Sequence, residues 1–142
     1  MAGHDPRRAR LRPERAVSAG VFALVILAGG LGGMLRYWLD DRIRARVGTA
    51  FPWGILVVNA SGAFALGLLT GLLGAWGLDD SVRLILGVGF LGGYTTLSTA
   101  SVDTVKLIRA GHPGRALINA LGSLALGVAL AALGYFLGTL AG

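Results

Sequence analysis

The hydrophobic pattern of the chain consists of four long apolar segments separated by short polar stretches. These segments cover approximately residues 17–39, 51–76, 82–108 and 115–140. Each reaches or exceeds the ~20 residues that an α-helix needs to cross the hydrocarbon core of a bilayer. We therefore predict an all-α membrane protein with four transmembrane helices, formed by residues 17–141 after an N-terminal tail of residues 1–16. The run Arg36-Tyr37-Trp38 predicts the interfacial end of the first helix.

Composition supports a membrane location. Hydrophobic residues make up 54% of the 142 residues, charged residues only 14%, and the mean hydropathy is +0.70. Soluble domains rarely have such a composition. Four spans leave no room for a soluble catalytic domain, so we expect a multi-pass protein of the cell (plasma) membrane whose surroundings are the lipid bilayer.

The positive charge is concentrated outside the apolar segments. The net charge is +6, and five arginines lie in the tail, at positions 7, 8, 10, 12 and 15. A basic protein can bind nucleic acid, but a basic tail beside membrane spans is more simply explained by contact with anionic lipid headgroups. We expect no nucleic-acid partner.

The loops give no clear orientation in the membrane. With the tail in the cytoplasm, six lysines and arginines lie inside and seven outside. The positive-inside rule needs a marked asymmetry, so the chain is compatible with insertion in both orientations. The alternative is that the tail alone fixes the N-terminus inside. Dual insertion would allow an antiparallel dimer with two third helices around one twofold axis.

Residues typical of catalytic sites are sparse. The chain has no cysteine, its histidines are His4 and His112, and its one glutamate is Glu14 in the tail. Acid–base or nucleophilic catalysis needs cooperating groups within hydrogen-bond reach, so we predict that the chain is not an enzyme. A small proton-coupled multidrug exporter would carry a glutamate inside the membrane, and this chain has none there.

The third apolar segment is interrupted at its midpoint by Gly92-Gly93-Tyr94-Thr95-Thr96. Hydrocarbon cannot hydrogen-bond exposed peptide groups, so irregular backbone at this depth survives only when it is buried in protein or lines an ion or substrate path. The sequence therefore predicts a broken third helix and a functional site at the break.

Three other polar features lie in the spans. Asn59 is surrounded by apolar residues and must face protein or water, either as an interhelical hydrogen-bonding group or as a pore-lining donor. Asn119 and Ser123 are four residues apart and share one helix face. Arg36 at a helix end can either snorkel to headgroups or stand at an aqueous vestibule.

Small residues recur four positions apart in every span. The pairs are Gly29/Gly33, Gly67/Gly71, Gly89/Gly93 and Gly134/Gly138. Such pairs let helix backbones approach closely in lipid, where packing drives association. They predict a tightly packed bundle.

Together these motifs resemble the Fluc/CrcB family of fluoride channels. The resemblance rests on Gly29 to Tyr37, on the stretch from Gly54 to Gly62 with Asn59, and on Arg109-Ala110-Gly111. Its most specific part is the run Gly89-Phe90-Leu91-Gly92-Gly93-Tyr94-Thr95-Thr96-Leu97-Ser98-Thr99.

The resemblance implies a fluoride-specific channel subunit that exports fluoride passively, as an antiparallel dual-topology dimer with two pathways along the subunit interface. It also implies a central structural Na⁺, not transported, held by backbone carbonyls at the positions that match here, Gly92 and Thr95. Oxygen ligands suit such a hard cation. As pore-lining residues we predict Asn59, Thr96, Ser98, Ser123, Asn119 and Arg36, because fluoride needs compact N–H and O–H donors in place of water.

The chain departs from the family pattern at the positions of two phenylalanines whose ring edges face the fluoride paths. Leu97 and Ala100 stand there, and Ile55 and Asn119 replace a threonine and a tyrosine common in the family. These differences leave a homodimer and a heterodimer with a phenylalanine-bearing paralogue both open. The alternatives to a conducting subunit are a non-conducting structural subunit of a heterodimeric fluoride channel and, third, a small multidrug exporter.

Overall fold

The computed structural model contains four membrane-length helical spans. It describes residues 17–77 and 79–141, so the predicted tail of residues 1–16 lies outside the described residues. The spans are Ala19–Val47, Trp53–Trp76, Asp80–Arg109 and Pro113–Leu140, and each is long and apolar enough to cross a bilayer. The prediction of an all-helical protein with four transmembrane helices is confirmed.

The first helix is longer than the sequence predicts, because it continues beyond Trp38 to Val47. Asp40 and Arg44 form an i,i+4 ion pair of 2.9 Å that supports the added turns. The helix ends where Gly48 takes a positive φ of 80° and donates its amide to the carbonyl of Arg44. Arg36 and Trp38 are therefore residues within the helix and do not mark its end.

The third span is built from unlike segments. An α-helical turn at Asp80–Val82 leads into a π-helix at Arg83–Leu91, which is followed by the short helix Gly92–Tyr94. Thr95 and Thr96 then have extended backbones, with φ/ψ of −83°/157° and −153°/117°. An α-helix resumes over Leu97–Arg109.

The irregular backbone is shorter than the predicted interruption of Gly92 to Thr96. Gly92 has an αR backbone with φ −63° and ψ −38°, and the helix closes its last turn with the bond from the Thr95 amide to the Leu91 carbonyl, at 2.9 Å. The two glycines and Tyr94 are thus helical, and extended geometry is confined to two threonines. β-branched threonine favours extended backbone more than helix.

The fourth span also contains π-helical geometry. The segment Pro113–Leu117 is α-helical, Ile118–Gly122 is π-helical, and Ser123–Leu140 is α-helical again. Asn119 lies within the π-helical part. π-Helical segments occur frequently at functional sites, since they change which side chains share a face.

Glycines determine which helices pack together. A Cβ at Gly67 would collide with the carbonyl of Ala131, and a Cβ at Gly134 would collide with the carbonyl of Phe64. The second and fourth helices therefore touch backbone to backbone. A Cβ at Gly93 would likewise strike the Gly29 carbonyl, which joins the first helix to the third span. The close packing predicted from the glycine spacing is confirmed.

Few side chains are buried within one copy of the chain. Val58 is fully buried, and Leu91 and Tyr94 pack against it. In contrast, large apolar side chains such as Phe22, Leu27 and Val128 are more than 60% exposed. Exposed apolar surface of this extent is stable where lipid or another membrane-embedded chain covers it. Because Tyr94 directly precedes Thr95, this small core fixes the chain at the start of the extended segment.

Candidate functional site

Asn59 of the second helix binds both backbone polar groups of Thr96. The Asn59 Nδ2 donates to the Thr96 carbonyl at 2.9 Å, and the Thr96 amide donates to Asn59 Oδ1 at 2.8 Å. An extended residue inside a helical span leaves its N–H and C=O without their helical partners, and one primary amide satisfies both groups here. Of the two interpretations of Asn59, the interhelical hydrogen-bonding group is therefore present in the structure.

This geometry releases backbone carbonyls from helical hydrogen bonding, among them those of Gly92 and Thr95. In a continuous helix the Thr96 amide would donate to Gly92, but it donates to Asn59. The Thr99 amide would donate to Thr95, but it donates to the Thr96 hydroxyl at 3.3 Å. Among the described residues, the carbonyls of Gly92 and Thr95 thus lack their usual helical donors. They are the two carbonyls that the family resemblance singles out.

Tyr94 adds a second connection between the third span and the second helix. Its hydroxyl lies 2.9 Å from the Ser61 hydroxyl, and its ring is almost fully buried and stacked beside Phe90, with ring centroids 6.2 Å apart. A Cβ at Gly62 would collide with the Thr95 methyl group, so a larger residue cannot stand there without moving the extended segment. Second-helix residues therefore hold the segment on both sides of Thr95.

A groove of about 630 Å³ runs along the second, third and fourth spans next to the extended residues. Its polar lining consists of side chains from all three spans: Asn59, Thr95, Thr96, Ser101, Thr104, Asn119 and Ser123. Small and aliphatic residues, among them Leu97, Ala100 and Gly127, form the rest of its wall. The groove thus offers a line of amide and hydroxyl groups in otherwise apolar surroundings.

Four of the predicted pore-lining residues meet in this groove and two do not. Asn59, Thr96, Asn119 and Ser123 line it. Ser98 is exposed beyond the groove, although its hydroxyl lies 3.1 Å from that of Thr96. The structure therefore places Ser98 one hydrogen bond away from the groove.

Arg36 lies outside the groove, where the first helix packs against the third span. Its Nε donates to the Gly93 carbonyl at 3.3 Å, and the side chain is half-buried. In a continuous helix the Leu97 amide would donate to the Gly93 carbonyl. Because Leu97 is instead the first residue of the next helix, the Gly93 carbonyl lacks that donor. Within this chain Arg36 caps the helix end at Tyr94, a position that favours a cation.

Asn119 is nearly fully buried, with 2% of its surface exposed. Its Nδ2 donates to the Thr104 hydroxyl at 2.8 Å and to the Ala100 carbonyl at 3.2 Å. Both N–H groups are therefore engaged with the segment Leu97–Arg109. Asn119 positions that segment against the fourth span, and its carbonyl oxygen is the part of the amide left for other contacts.

The two positions of the missing aromatic rings differ in their surroundings. Leu97 is 82% exposed, whereas Ala100 is partly buried. Both line the groove. The described chain therefore has open space at Leu97 where a larger side chain or a partner's residue would fit.

A charged cluster joins the first helix to the end of the third span. The buried Asp103 pairs with Lys106 at 3.1 Å and with Arg44 at 3.5 Å, and Arg44 also pairs with Asp40. Sequence reasoning gave Asp103 no role and no partner. Its i,i+3 spacing from Lys106 could have predicted one of the two pairs. Neither Ser61 nor Thr104 was recognised from the sequence.

The fold and the site define a multi-pass membrane protein with a polar groove beside an irregular segment of its third span. The family described as CrcB-like protein, Camphor Resistance (CrcB), matches residues 23–135. Since this match covers most of the chain, the chain belongs to the CrcB family.

The similarity to curated relatives extends over nearly their full length. A protein of Thermus thermophilus named Fluoride-specific ion channel FluC is 47% identical over 117 residues, which cover 82% of this chain and 94% of that protein. Fluoride-specific ion channel FluC 1 of Leifsonia xyli is 44% identical over 121 residues, or 85% of this chain and 88% of that protein. A Novosphingobium aromaticivorans protein with the FluC name is 41% identical over 118 residues, with coverages of 82% and 90%.

Proposed function

We propose that this chain is a subunit of a fluoride-specific ion channel, which lets fluoride leave the cytoplasm passively, down its electrochemical gradient. The observation that carries the proposal is the 47% identity, across four matching spans, to a relative named as a fluoride-specific ion channel. A channel of this kind is not an enzyme, and its only substrate is the ion it passes.

The chemistry of the groove supports an anion path. Fluoride is small and strongly hydrated, so a path must offer compact donors in place of water. Asn59 Nδ2 has two N–H groups, and the Thr96 carbonyl uses one of them. The second N–H and the Ser123 hydroxyl are available to an ion in the groove, whereas the Thr96 hydroxyl already accepts from the Thr99 amide. The apolar wall limits competing water.

The extended segment supports a structural cation at the break of the third helix. The carbonyls of Gly92 and Thr95 lack their helical donors, and such carbonyls are suitable ligands for a hard cation. We propose that these two residues hold a Na⁺ ion. When bound, the ion supplies positive charge that lowers the energy of a nearby anion. Arg36, bonded to the Gly93 carbonyl, adds further positive charge beside the segment.

Two copies in antiparallel orientation would complete the site. One chain offers only two such carbonyls, whereas two chains related by a twofold axis offer four oxygen ligands around one hard cation. The groove is open along its length, and the exposed apolar surface around it requires cover. We therefore propose a dual-topology dimer with the groove at the subunit interface.

Fluoride efflux from proteoliposomes tests the proposal. Liposomes that contain the purified chain and are loaded with potassium fluoride should release fluoride after valinomycin addition, as measured with a fluoride electrode. Matched liposomes loaded with potassium chloride should retain their chloride. Absence of fluoride-selective efflux, with the chain alone and with a phenylalanine-bearing paralogue, would contradict the channel function.

Leu97 and Ala100 stand where the family resemblance implies two phenylalanines. This difference favours a second candidate function, a structural subunit within a heterodimer. Leu97 and Ala100 lack the ring edges that favour an anion, but they leave the hydrogen bonds between Asn59 and Thr96 intact. Such a chain could complete the fold of a dimer while a paralogue supplies the rings. Efflux that requires both chains would favour this candidate, whereas a multidrug exporter would instead transport organic cations.

A further inference from the structure

A second cavity, of about 420 Å³, lies at the end of the bundle where the first helix meets the second and the third span meets the fourth. Four side chains on its wall are basic: Arg44, Lys106, His112 and Arg115. We call it the basic cavity. It shares no lining residue with the groove beside Asn59, so it is a separate feature of the molecule.

The positive charge of the basic cavity is only partly neutralised from within. Asp103, the one carboxylate on its wall among the described residues, is shared between Arg44 and Lys106, and Arg44 also pairs with Asp40 behind the wall. Arg115 has no carboxylate partner among the described residues, and its Nη1 donates to the Ala50 carbonyl at 3.4 Å. A guanidinium carries five N–H donors, so most donors of Arg115 are left for another acceptor.

Two long helices begin at the same cavity. Pro52 precedes the helix Trp53–Trp76, His112 precedes the span Pro113–Leu140, and both residues lie on the cavity wall. The first amides of a helix lack helical acceptors, and the N-terminal end of a helix is positive. Two such ends, together with the Arg115 guanidinium that forms no ion pair with a described residue, form a favourable setting for an oxyanion.

The basic cavity lies at the N-terminal ends of two helices that are long and apolar enough to cross a membrane. Such helix ends lie near the membrane interface. Phe51 on the cavity wall packs on Trp53 with ring centroids 4.8 Å apart, and tryptophan is typical of that interface. Phosphate groups of lipids occupy this level of a bilayer.

We propose that the basic cavity binds a phosphate group, carried by an anionic lipid headgroup or free in solution, with Arg115 as its main side-chain ligand. The interfacial position makes the lipid phosphodiester the expected source, because basic pockets between transmembrane helices bind lipid headgroups. The inference does not depend on fluoride conduction, since the groove and the basic cavity have different linings.

Thermal unfolding of the purified full chain in nonionic detergent tests this inference. A ligand that binds the folded state raises the unfolding midpoint with its concentration, which yields an apparent affinity. We expect phosphatidylglycerol to raise the midpoint more than zwitterionic phosphatidylcholine. The variant Arg115→Gln should weaken the apparent affinity for phosphatidylglycerol about fivefold, the factor that corresponds to about 1 kcal/mol for one cation near a membrane surface.

Two matched variants separate a specific site from general charge attraction. Arg109→Gln removes one charge at the same end of the bundle, outside the basic cavity, and should leave the affinity unchanged. Arg115→Lys keeps the charge and should restore most of it, which also shows that the position tolerates substitution. Equal losses in Arg109→Gln and Arg115→Gln would overturn the inference.

Inorganic phosphate distinguishes the two sources of the ligand. Stabilisation by phosphatidylglycerol alone, lost in Arg115→Gln, identifies a lipid site. Stabilisation by millimolar inorganic phosphate with the same dependence on Arg115 identifies a site for free phosphate. No stabilisation by either probe, in a chain that still conducts fluoride, would overturn the phosphate site and leave the channel proposal standing.

Discussion

Asn59 and Thr96 exchange two hydrogen bonds across the interface between the second helix and the third span. One side-chain amide thereby takes the place of the two peptide partners that Thr96 loses where the backbone becomes extended. Unpaired peptide groups in a membrane protein cost several kcal/mol, so this exchange makes the extended segment stable at membrane depth. The same exchange frees the Gly92 carbonyl, and the bond from the Thr99 amide to the Thr96 hydroxyl frees the Thr95 carbonyl.

Loss of the Asn59 amide should therefore destabilise the extended segment. Asn59→Ala leaves the Thr96 N–H and C=O without their partner, which costs about 1–3 kcal/mol for each buried group left unpaired. We expect a lower unfolding midpoint in detergent and reduced fluoride efflux. Asn59→Asp should have an intermediate effect on stability, because a carboxylate accepts from the Thr96 amide but cannot donate to its carbonyl.

Thr70→Ala provides the matched control for Asn59. Thr70 lies on the same helix, and its hydroxyl donates to the Leu66 carbonyl of its own helix, at 2.7 Å. Its removal should leave both stability and efflux near the values of the unmodified chain. Equal stability of the Asn59→Ala and Thr70→Ala variants would show that the amide does not hold the segment.

Close helix packing predicts opposite results for glycines on one helix. Gly134→Ala places a methyl group against the Phe64 carbonyl and should destabilise the chain by about 1–3 kcal/mol through overpacking. Gly127→Ala meets nothing within 4 Å among the described residues and should be neutral or slightly stabilising, since alanine favours helix. Unfolding midpoints of the two variants measure the difference. A Gly127 variant that folds but no longer dimerises would indicate that a partner packs there.

The ion pairs of Asp103 should contribute to stability, because this carboxylate is almost fully buried. Asp103→Asn removes the charge that Arg44 and Lys106 share and should lower stability by about 1–3 kcal/mol. Asp41→Asn, at an exposed position of the first helix, should change it by less than about 0.5 kcal/mol. Similar midpoints for the two variants, at low and high salt, would contradict a structural role for the cluster.

Sodium removal tests the carbonyl site separately from the side chains. Replacement of Na⁺ by N-methyl-D-glucamine on both sides of the membrane should lower fluoride efflux, because the proposed site loses its cation. Thr95→Ala should keep this sodium dependence, since the proposed ligand is the backbone carbonyl and the Thr95 hydroxyl donates to the Leu91 carbonyl. Efflux that is indifferent to sodium in the unmodified chain would exclude the cation site.

The sequence predicts the architecture better than the contacts of the site. Four spans follow from length and hydropathy, and close backbone packing follows from the small-residue spacing, although that spacing does not say that Gly93 meets Gly29. The hydrogen-bond partner of Asn59 could not be predicted, because Thr96 lies 37 residues away and a local sequence pattern does not indicate so distant a contact. The prediction also placed irregular backbone at Gly92, where glycine's freedom made it plausible, although the extended residues are threonines.

Arg36 is a second residue whose contact could not be predicted from the sequence. Snorkelling and a vestibule position both follow from an arginine near a predicted helix end. The first helix continues to Val47, so Arg36 instead faces the third span and donates to the Gly93 carbonyl. The predicted position of the Arg36 side chain depended on where the first helix ends. Helix ends are set by capping and by tertiary contacts, which cannot be derived from hydropathy.

Leu97 and Ala100 form part of the groove wall. They lie three residues apart on one helical face and line the groove, where aromatic ring edges would favour a desolvated anion by about 1 kcal/mol each. Leu97 is 82% exposed in the single chain, so Leu97→Phe has room for a ring. We expect the double variant Leu97→Phe/Ala100→Phe to raise fluoride efflux of the chain alone by about thirtyfold, the factor for roughly 2 kcal/mol. In a channel-deficient host, the unmodified chain alone should give only partial fluoride resistance, which a phenylalanine-bearing paralogue completes, whereas the double variant should need no paralogue. Leu24→Phe, an exposed apolar position on the first helix outside the groove, controls for added bulk. Full resistance from the unmodified chain alone would contradict the heterodimer and indicate that the amide and hydroxyl groups of the groove suffice for conduction.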